Sequence, residues 1–331
     1  MILVTGGTGL IGAHLLLELS LKEDGIRAIY RNKTKIDAVK TFFNKEGAIR
    51  RFEKIEWVEA DITDIPALQN AFIGIEKVYH CAGLISFDPK DYHLLRKTNI
   101  EGTSNMVNLC IAHNVHKLCY LSSIATLGNK IDNKTVDEDV YWNPEAENNV
   151  YAITKYGAEM QAWRGTQEGL PTVILNPGVV FGEGFQEAPS SGFFKKVQKG
   201  LSFYPPGGTG FVDVKNVVEA LVSGMDTPIC NERFILVGEN ATYQDVLLKI
   251  ALALNKKPPH KKIKPWQLAL FWRLDWFLSF FPGRKRKLTR NAAHALLSQT
   301  LYSNDKAKKK LNLQFTPLET TIQRIAKKLT F

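Results

Sequence analysis

Ile2-Leu3-Val4-Thr5-Gly6-Gly7-Thr8-Gly9-Leu10-Ile11-Gly12 stands at the head of the chain and decides its fold. Residues 2–5 are a short apolar, β-branched run, residues 6–12 break it with glycines, and 13–21 resume with helical spacing. The order reads as strand, glycine turn, helix. Gly6, Gly9 and Gly12 form G-x-x-G-x-x-G, and Gly7, Gly9 and Gly12 also satisfy G-x-G-x-x-G. Such spacing serves a tight turn, a backbone that lies against a pyrophosphate with no Cβ in the way, and close packing of helix on strand. The phosphates then sit at the helix N-terminus. A glycine-rich turn can also exist without a ligand. Here a strand precedes the motif and a helix follows it, the context that dinucleotide binding requires.

Outward from this unit, short apolar runs recur at 26–30, 55–60, 77–81, 118–122, 172–176 and 233–237, separated by segments of helical length and period. That alternation predicts an α/β fold of the Rossmann type, a doubly wound parallel sheet with helices on both faces. After Pro177 the pattern loosens into Gly- and Pro-rich loops such as Gly182-Glu183-Gly184 and Pro205-Pro206-Gly207-Gly208. The predicted organisation is a nucleotide-binding domain over 1–176 with a return strand near 233–237, and a smaller, discontinuous substrate region over 177–331. No internal repeat is visible.

A chain of 331 residues with 44% hydrophobic and 23% charged residues is neither disordered nor of low complexity. The formal charge of +10 is unevenly placed: 18 basic and 3 acidic residues fall in 256–331, against 25 and 30 in 1–255. A whole-protein argument for nucleic acid therefore fails, and the question becomes what a basic tail touches. Cys81, Cys110, Cys119 and Cys230 lack metal-ligand spacing, so no metal is expected, and they read as small buried hydrophobes of a reduced compartment. The first residues lack the basic and long apolar regions of a secretory signal, which makes the cytoplasm the expected location.

Residues 263–281 hold Trp266, Phe271, Trp272, Trp276, Phe277, Phe280 and Phe281. The segment contains charges and is too short to span a bilayer, which needs about 20 mostly apolar residues. Two readings stay open: a buried or lid helix of the substrate region, or a helix lying in a membrane interface, followed by the basic run Arg284-Lys285-Arg286-Lys287.

NAD-binding versions of the glycine unit place an acid at the end of the second strand, about 20 residues on, to hold the ribose hydroxyls. This chain has Arg31 there, followed by Lys33 and Lys35. A guanidinium suits a 2′-phosphate, so NADP is the preferred cofactor and NAD the second choice. The competing reading of Arg31 is an ordinary solvated loop charge. Further on, Tyr151-Ala152-Ile153-Thr154-Lys155 begins a helix. Residues four apart share a helical face, so the Lys155 ammonium is expected beside the Tyr151 hydroxyl, drawing the phenol down from about 10 toward a working pH. Ser122-Ser123 ends a strand upstream, where a hydroxyl can meet a substrate oxygen.

These segments, with Asp61-Ile62-Thr63, His80-Cys81-Ala82-Gly83, Asn99-Ile100-Glu101-Gly102-Thr103 and Asn176-Pro177-Gly178, resemble the extended short-chain dehydrogenase/reductases, the NAD-dependent epimerase/dehydratase superfamily. The resemblance implies an NAD(P)-dependent oxidoreductase. It implies Tyr151 as acid/base, Lys155 as its activator and ribose ligand, and Ser123, rather than Ser122, as partner of the substrate oxygen. It places Gly6, Thr8, Gly9, Leu10, Ile11 and Gly12 on the cofactor phosphates and Asp61 and Ile62 beside adenine. Cys81, Ala82 and Gly83 would line the groove, with Pro177, Gly178, Val179 and Val180 against the carboxamide. The competing readings are a turn or cap for Asp61 and strand-end packing for Cys81 to Gly83. Asn99 matches a helix asparagine that holds a water near the lysine, or is a plain structural amide.

Ser123-Ile124-Ala125-Thr126 lacks the Asp-Glu pair of the 4,6-dehydratases. The Ser122-Ser123-Ile124, Phe181-Gly182-Glu183-Gly184 and Phe211-Val212-Asp213-Val214 stretches are closer to dihydroflavonol reductases and 3β-hydroxysteroid dehydrogenases. Phe87, Tyr92, Phe181, Phe185, Phe193, Tyr204 and Phe211 form a candidate wall for a lipophilic small molecule, though each singly could be core. A nucleotide-sugar epimerase with retained NAD is the alternative. A non-enzymatic sensor or RNA-binding module is the third reading, opposed by the presence of both Tyr151 and Lys155. The chain is expected as a monomer or homodimer.

Overall fold

The computed structural model describes residues 1–128, 135–185, 187–279, 286 and 288–329. Strands β1 (Ile2–Thr5), β2 (Ile26–Tyr30), β3 (Glu56–Glu59), β4 (Lys77–His80), β5 (Lys117–Leu121) and β6 (Thr172–Pro177) alternate with helices. These are α1 (Leu10–Leu19), α2 (Thr34–Lys45), α3 (Ile49–Phe52), α4 (Ile65–Ala71), α5 (Tyr92–Leu95), α6 (Gly102–Ala112) and α7 (Val150–Gln167). There follow β7 (Val179–Phe181), α8 (Ser191–Gln198), β8 (Phe203–Tyr204), β9 (Gly208–Asp213), α9 (Val214–Asp226), β10 (Glu232–Leu236), β11 (Glu239–Thr242) and α10 (Tyr243–Ala253). The described chain closes with β12 (Lys261–Lys262), α11 (Pro265–Leu278), α12 (Arg290–Ala295), α13 (Asp305–Lys310) and α14 (Leu318–Lys328).

Seven strands form one parallel sheet in the order β10-β6-β5-β4-β1-β2-β3. β1, β5 and β6 are buried along their whole length, which is why they read as unbroken apolar runs instead of alternating ones. One face packs on α1, α2 and α9 through Leu15, Leu16, Phe43, Val217 and Leu221. The other packs on α4, α6 and α7 through Leu68, Met106, Val107, Ala158 and Ala162. The strand order reverses between β1 and β4, and a doubly wound sheet opens its crevice there, beyond the carboxyl ends of the strands. The doubly wound α/β architecture expected from the alternation is thus present, with strand ends displaced by a residue or two at β3, β4, β5, β6 and β10.

After β6 the chain leaves this sheet. β11, β9 and β7 form a three-stranded sheet, and with α8, α10 and α14 they enclose a separate core containing Phe181, Phe194, Phe211, Ile250 and Ile322. α9 and β10 return to the first layer, where Phe234 pairs in register with Leu175. Ala307, Leu311 and Leu313 also belong to the first core. The second region is therefore interrupted in sequence.

α11 is not the buried helix that one reading of 263–281 anticipates. Of its residues only Leu268 is buried, whereas Trp266, Leu270, Phe271, Leu274, Trp276 and Phe277 are exposed. No helix among the described residues is long and apolar enough to cross a membrane. Phe280, Phe281, Arg284, Lys285 and Lys287 lie outside the described residues.

Candidate active site

The glycine turn is built by close approach. Gly6 has φ +71°, and a Cβ there would lie 2.7 Å from the Ala82 nitrogen beyond β4. A Cβ on Gly12 would lie 2.2 Å from the Gly6 oxygen, so neither position accepts a side chain. Gly9 differs: it is exposed, and a Cβ there would approach only the Gly6 oxygen, at 3.4 Å. Its freedom from protein contact leaves the backbone open to an outside group. Gly9 is also the N-cap of α1, where no side chain caps the helix and the first turn carries no acid. Unsatisfied N–H groups and the positive end of the helix dipole therefore face the crevice. The segment containing Gly6, Thr8, Gly9, Leu10, Ile11 and Gly12 fits a dinucleotide pyrophosphate.

The β2 and β3 side of that crevice is flanked by Arg31 after β2 and Asp61 after β3. Arg31 Nη1 lies 3.4 Å from Asp61 Oδ2, with both side chains partly exposed. Burial alone would raise the Asp61 carboxyl. Hydrogen bonds from Thr63 N and Oγ1, both 2.9 Å, together with the Arg31 guanidinium, outweigh it and hold the group below the usual carboxylate range. Ile62 is buried in the core and Asn105 Nδ2 donates to its carbonyl at 3.0 Å. Lys33 and Lys35 are exposed at the start of α2. Cys81 and Ala82 are half-buried and Gly83 is exposed beyond β4. Pro177 ends β6 in the core, and Gly178, Val179 and Val180 are half-buried as the chain crosses into β7.

At the carboxyl edge of β5 the Ser123 hydroxyl lies beside the Tyr151 phenol and opposes the rise that burial imposes on it. Ser123 is the N-cap of a short 3-10 turn, where its Oγ accepts from Ala125 N at 3.2 Å. Tyr151 sits in the first turn of α7, whose N-cap Asn149 accepts from Ala152 N at 2.8 Å. The exposed Phe87 ring meets the Tyr151 ring edge-on at 5.6 Å. Lys155 is buried one helical turn on. Its Nζ donates to Tyr120 Oη and to the Leu121 carbonyl, each at 2.8 Å, and lies 4.5 Å from the Tyr120 ring centre.

Two expectations are corrected here. The hydrogen bonds of the Lys155 ammonium run to Tyr120 and Leu121, not to Tyr151, because β5 lies directly beneath the α7 face that carries it. Burial accordingly raises the Tyr151 phenol, with the Ser123 hydroxyl opposing it, so in this structure the shift is upward and not toward neutrality. The lysine moves the other way: burial lowers it to about 8, against the pull of Glu159.

Ser122 points into the core, where its Oγ donates to Glu159 at 2.5 Å. Asn99, in a π-helical segment spanning Arg96–Glu101, accepts from Leu84 N at 2.8 Å and donates to Leu84 O at 3.0 Å and to Thr154 Oγ1 at 3.3 Å. Its amide thus clamps the β4 exit loop to α7, which is the structural reading of that residue. A π-segment at such a place is common beside functional sites.

The aromatic wall is largely overturned. Phe181 and Phe211 are fully buried in the second core, in contact with each other and with Phe193, because they occupy inward positions of β7 and β9. Phe185 packs against Phe42 and His14 on the α1 side of the sheet, at ring distances of 5.6 and 6.4 Å. Tyr204 is half-buried against the second core, and Tyr92 is half-buried beside His93 at the start of α5. Of the seven aromatics, Phe87 is the one whose ring contacts Tyr151. Of the cysteines, Cys110 and Cys119 are buried as expected, Cys81 is half-buried, and Cys230 is exposed.

Glu159 and Tyr120 escape the sequence reading. Glu159 has no exposed surface and accepts from Ser122, Thr126 and Asn176 at 2.5 to 2.8 Å, with Arg233 Nη1 at 3.4 Å. It locks the end of β5, β6 and α7 together below the Ser123 and Tyr151 pair. The available signal was the i, i+4, i+8 stripe of Tyr151, Lys155 and Glu159, which puts an acid on the buried face of α7. For Tyr120 it was a hydroxyl inside an otherwise apolar strand run.

A family model for the NAD dependent epimerase/dehydratase family matches residues 2–233. The chain belongs to that family. It is an NAD(P)-dependent enzyme of the extended short-chain dehydrogenase/reductase type. A putative dihydroflavonol 4-reductase of Synechocystis is 26% identical over 317 residues, covering 94% of this chain and 89% of the relative. Sterol demethylase protein B of Methylococcus capsulatus is 24% identical over 317 residues, covering 94% and 92%. Among solved structures, the Bordetella bronchiseptica enzyme WbmH in complex with NAD+ superposes with a TM-score of 0.74 at 22% identity, covering 99% of this chain and 97% of that one. This family member therefore shares its fold with a protein that holds NAD+ in its crystal.

Proposed function

We propose that the chain is an NADP(H)-preferring carbonyl reductase or alcohol dehydrogenase for lipophilic small molecules, acting in the cytoplasm as a monomer or homodimer. The observation that carries this reading is the Ser123 hydroxyl beside the Tyr151 phenol at the carboxyl edge of β5, with the buried Lys155 one turn away. The N-terminus of α1 would hold the phosphates of a nicotinamide dinucleotide, and the chemistry that group would supply is hydride transfer. In the reducing direction Tyr151 Oη gives its proton to the substrate oxygen as the carbonyl carbon gains hydride, and the products are the alcohol and the oxidised cofactor. Ser123 Oγ orients that oxygen and steadies the phenolate left on Tyr151. Lys155, lowered by burial to about 8, holds a proton that is easily surrendered within one turn of the tyrosine.

Arg31 supports the cofactor preference, since its guanidinium stands at the end of β2 where an acid would select unphosphorylated ribose. Phe87, exposed and edge-on to Tyr151, is the aromatic placed to meet an apolar substrate. The dihydroflavonol 4-reductase and sterol demethylase relatives lean the same way. The test is NADPH oxidation with a panel of aromatic and alicyclic carbonyls, with cofactor content of the purified protein read by native mass spectrometry. One cofactor consumed per carbonyl reduced supports the proposal. Tightly retained NAD with no net oxidation would favour the nucleotide-sugar epimerase instead.

A further inference from the structure

We infer that α11 is a docking surface for an anionic lipid bilayer, and that it brings the mouth of the Tyr151 site against that surface. A helix seated on a water-soluble protein turns polar residues outward. α11 does the reverse. Its one buried side chain is Leu268, and on the opposite side Trp266, Leu270, Leu274 and Phe277, at i, i+4, i+8 and i+11, are 46% to 62% exposed. Contiguous apolar surface of this kind marks an interaction site. At 14 residues α11 is about 21 Å long, too short to cross a hydrocarbon core but able to lie flat in an interface.

Charge selects the occupant. Lys256, Lys257, Lys261, Lys262 and Lys264 lead into the helix and Arg273 lies on it, all exposed. Lys261 Nζ sits 5.8 Å from the ring of exposed Phe203 on the neighbouring strand, extending the apolar and basic surface. The acid of the helix, Asp275, is turned inward and accepts from Leu288 N at 3.0 Å. A second copy of the chain would present the same cations and be repelled. A bilayer with anionic headgroups offers both an apolar layer for the tryptophan, leucine and phenylalanine side chains and negative charge for the lysines.

The helix is tied to the site from both sides. Lys90 Nζ donates to Ser279 O at the end of α11, and Asp88 Oδ2 accepts from Arg286 N, each at 3.4 Å. Those residues directly follow Phe87. In α12, Arg290 bonds Glu147 at 2.9 Å and Asn291 bonds Asn148 O at 3.1 Å, immediately before the N-cap of the helix that carries Tyr151. A substrate dissolved in the bilayer would thus enter past Phe87 without crossing water; this second half rests on the carbonyl-reductase reading.

The test is co-sedimentation of the intact protein with vesicles of phosphatidylcholine alone and of phosphatidylcholine carrying about 30 mol% phosphatidylglycerol. Binding should be at least about tenfold stronger to the anionic vesicles, and Leu270→Glu/Leu274→Glu should reduce it by about tenfold or more, since each leucine loses its burial in lipid. Trp266→Ser serves as a second variant. Both substitute exposed positions, so circular dichroism and turnover of a water-soluble carbonyl should match the parent. No vesicle binding, equal binding to both vesicles, or binding unchanged in the variants would overturn the proposal. So would lipid-free self-association, or RNA capture, that the double variant abolishes. Intact vesicle binding without any carbonyl turnover would instead count against the reductase reading alone.

Discussion

The difference in stability between Lys155→Met and the parent, both free of cofactor, should depend on pH, standing most in favour of the variant near neutrality and moving toward the parent in alkali. Burial lowers the Lys155 ammonium from 10.5 to about 8. Below pH 8 both folded and unfolded chains carry the proton, and the folded state bears the full cost of the buried charge. Between 8 and 10.5 the unfolded state binds more protons, so stability rises with pH. Above 10.5 the contribution is gone. The displacement corresponds to about 3 kcal/mol. Methionine keeps the straight stem but removes the donor to Tyr120 Oη and Leu121 O, which returns about 1–3 kcal/mol at all pH values. The quantity to read is therefore the difference between the two proteins in urea unfolding at pH 7.5 and at pH 10. It should move by about 2 kcal/mol in favour of the parent on going to pH 10. A difference that stays constant within about 0.5 kcal/mol would mean that Lys155 is not held near 8 by burial, and the reasoning fails.

Other substitutions separate roles that lie side by side. Arg31→Ala should weaken NADPH binding about 10–100-fold, the value of a charge-assisted hydrogen bond to phosphate, and leave NADH within about threefold; fluorescence titration of both cofactors decides, and equal losses would remove the phosphate role. Ser123→Ala should lower kcat by about 100-fold with little effect on melting, whereas Ser122→Ala should cost about 1–3 kcal/mol of stability by depriving buried Glu159 of a donor, with kcat nearly intact. Steady-state kinetics and thermal melts on the same preparations would expose a reversal.

The fold was legible because a doubly wound sheet writes itself in local terms. Each buried strand is a short apolar run, and the Gly6, Gly9 and Gly12 turn marks where the first helix begins. What remained hidden depends on contacts between distant segments. Nothing in the spacing of Tyr151 and Lys155 reveals that Tyr120 lies under the ammonium, since that requires the placement of α7 over β5. The aromatics after residue 177 misled for a related reason. Phe181 and Phe211 have the composition of an apolar wall, but a second small core needs the same residues, and only the pairing of β7 with β9 turns them inward. Ser122 and Ser123 were separable in principle, because adjacent residues of an extended strand point to opposite sides. The site side depended on Glu159 being buried beneath one of them. α11 is the converse case: its aromatic content was plain, but whether it faced protein or solvent could be read only once Leu268 was seen as its single buried residue.

The account rests on the Tyr151 hydroxyl as the proton donor, and single-turnover NADPH oxidation by Tyr151→Phe under saturating cofactor and carbonyl measures that directly. Phenylalanine preserves the ring against Phe87 and removes only the hydroxyl beside Ser123. The rate should fall by about 100–10,000-fold, with cofactor affinity unchanged. A rate within about threefold of the parent would contradict the account.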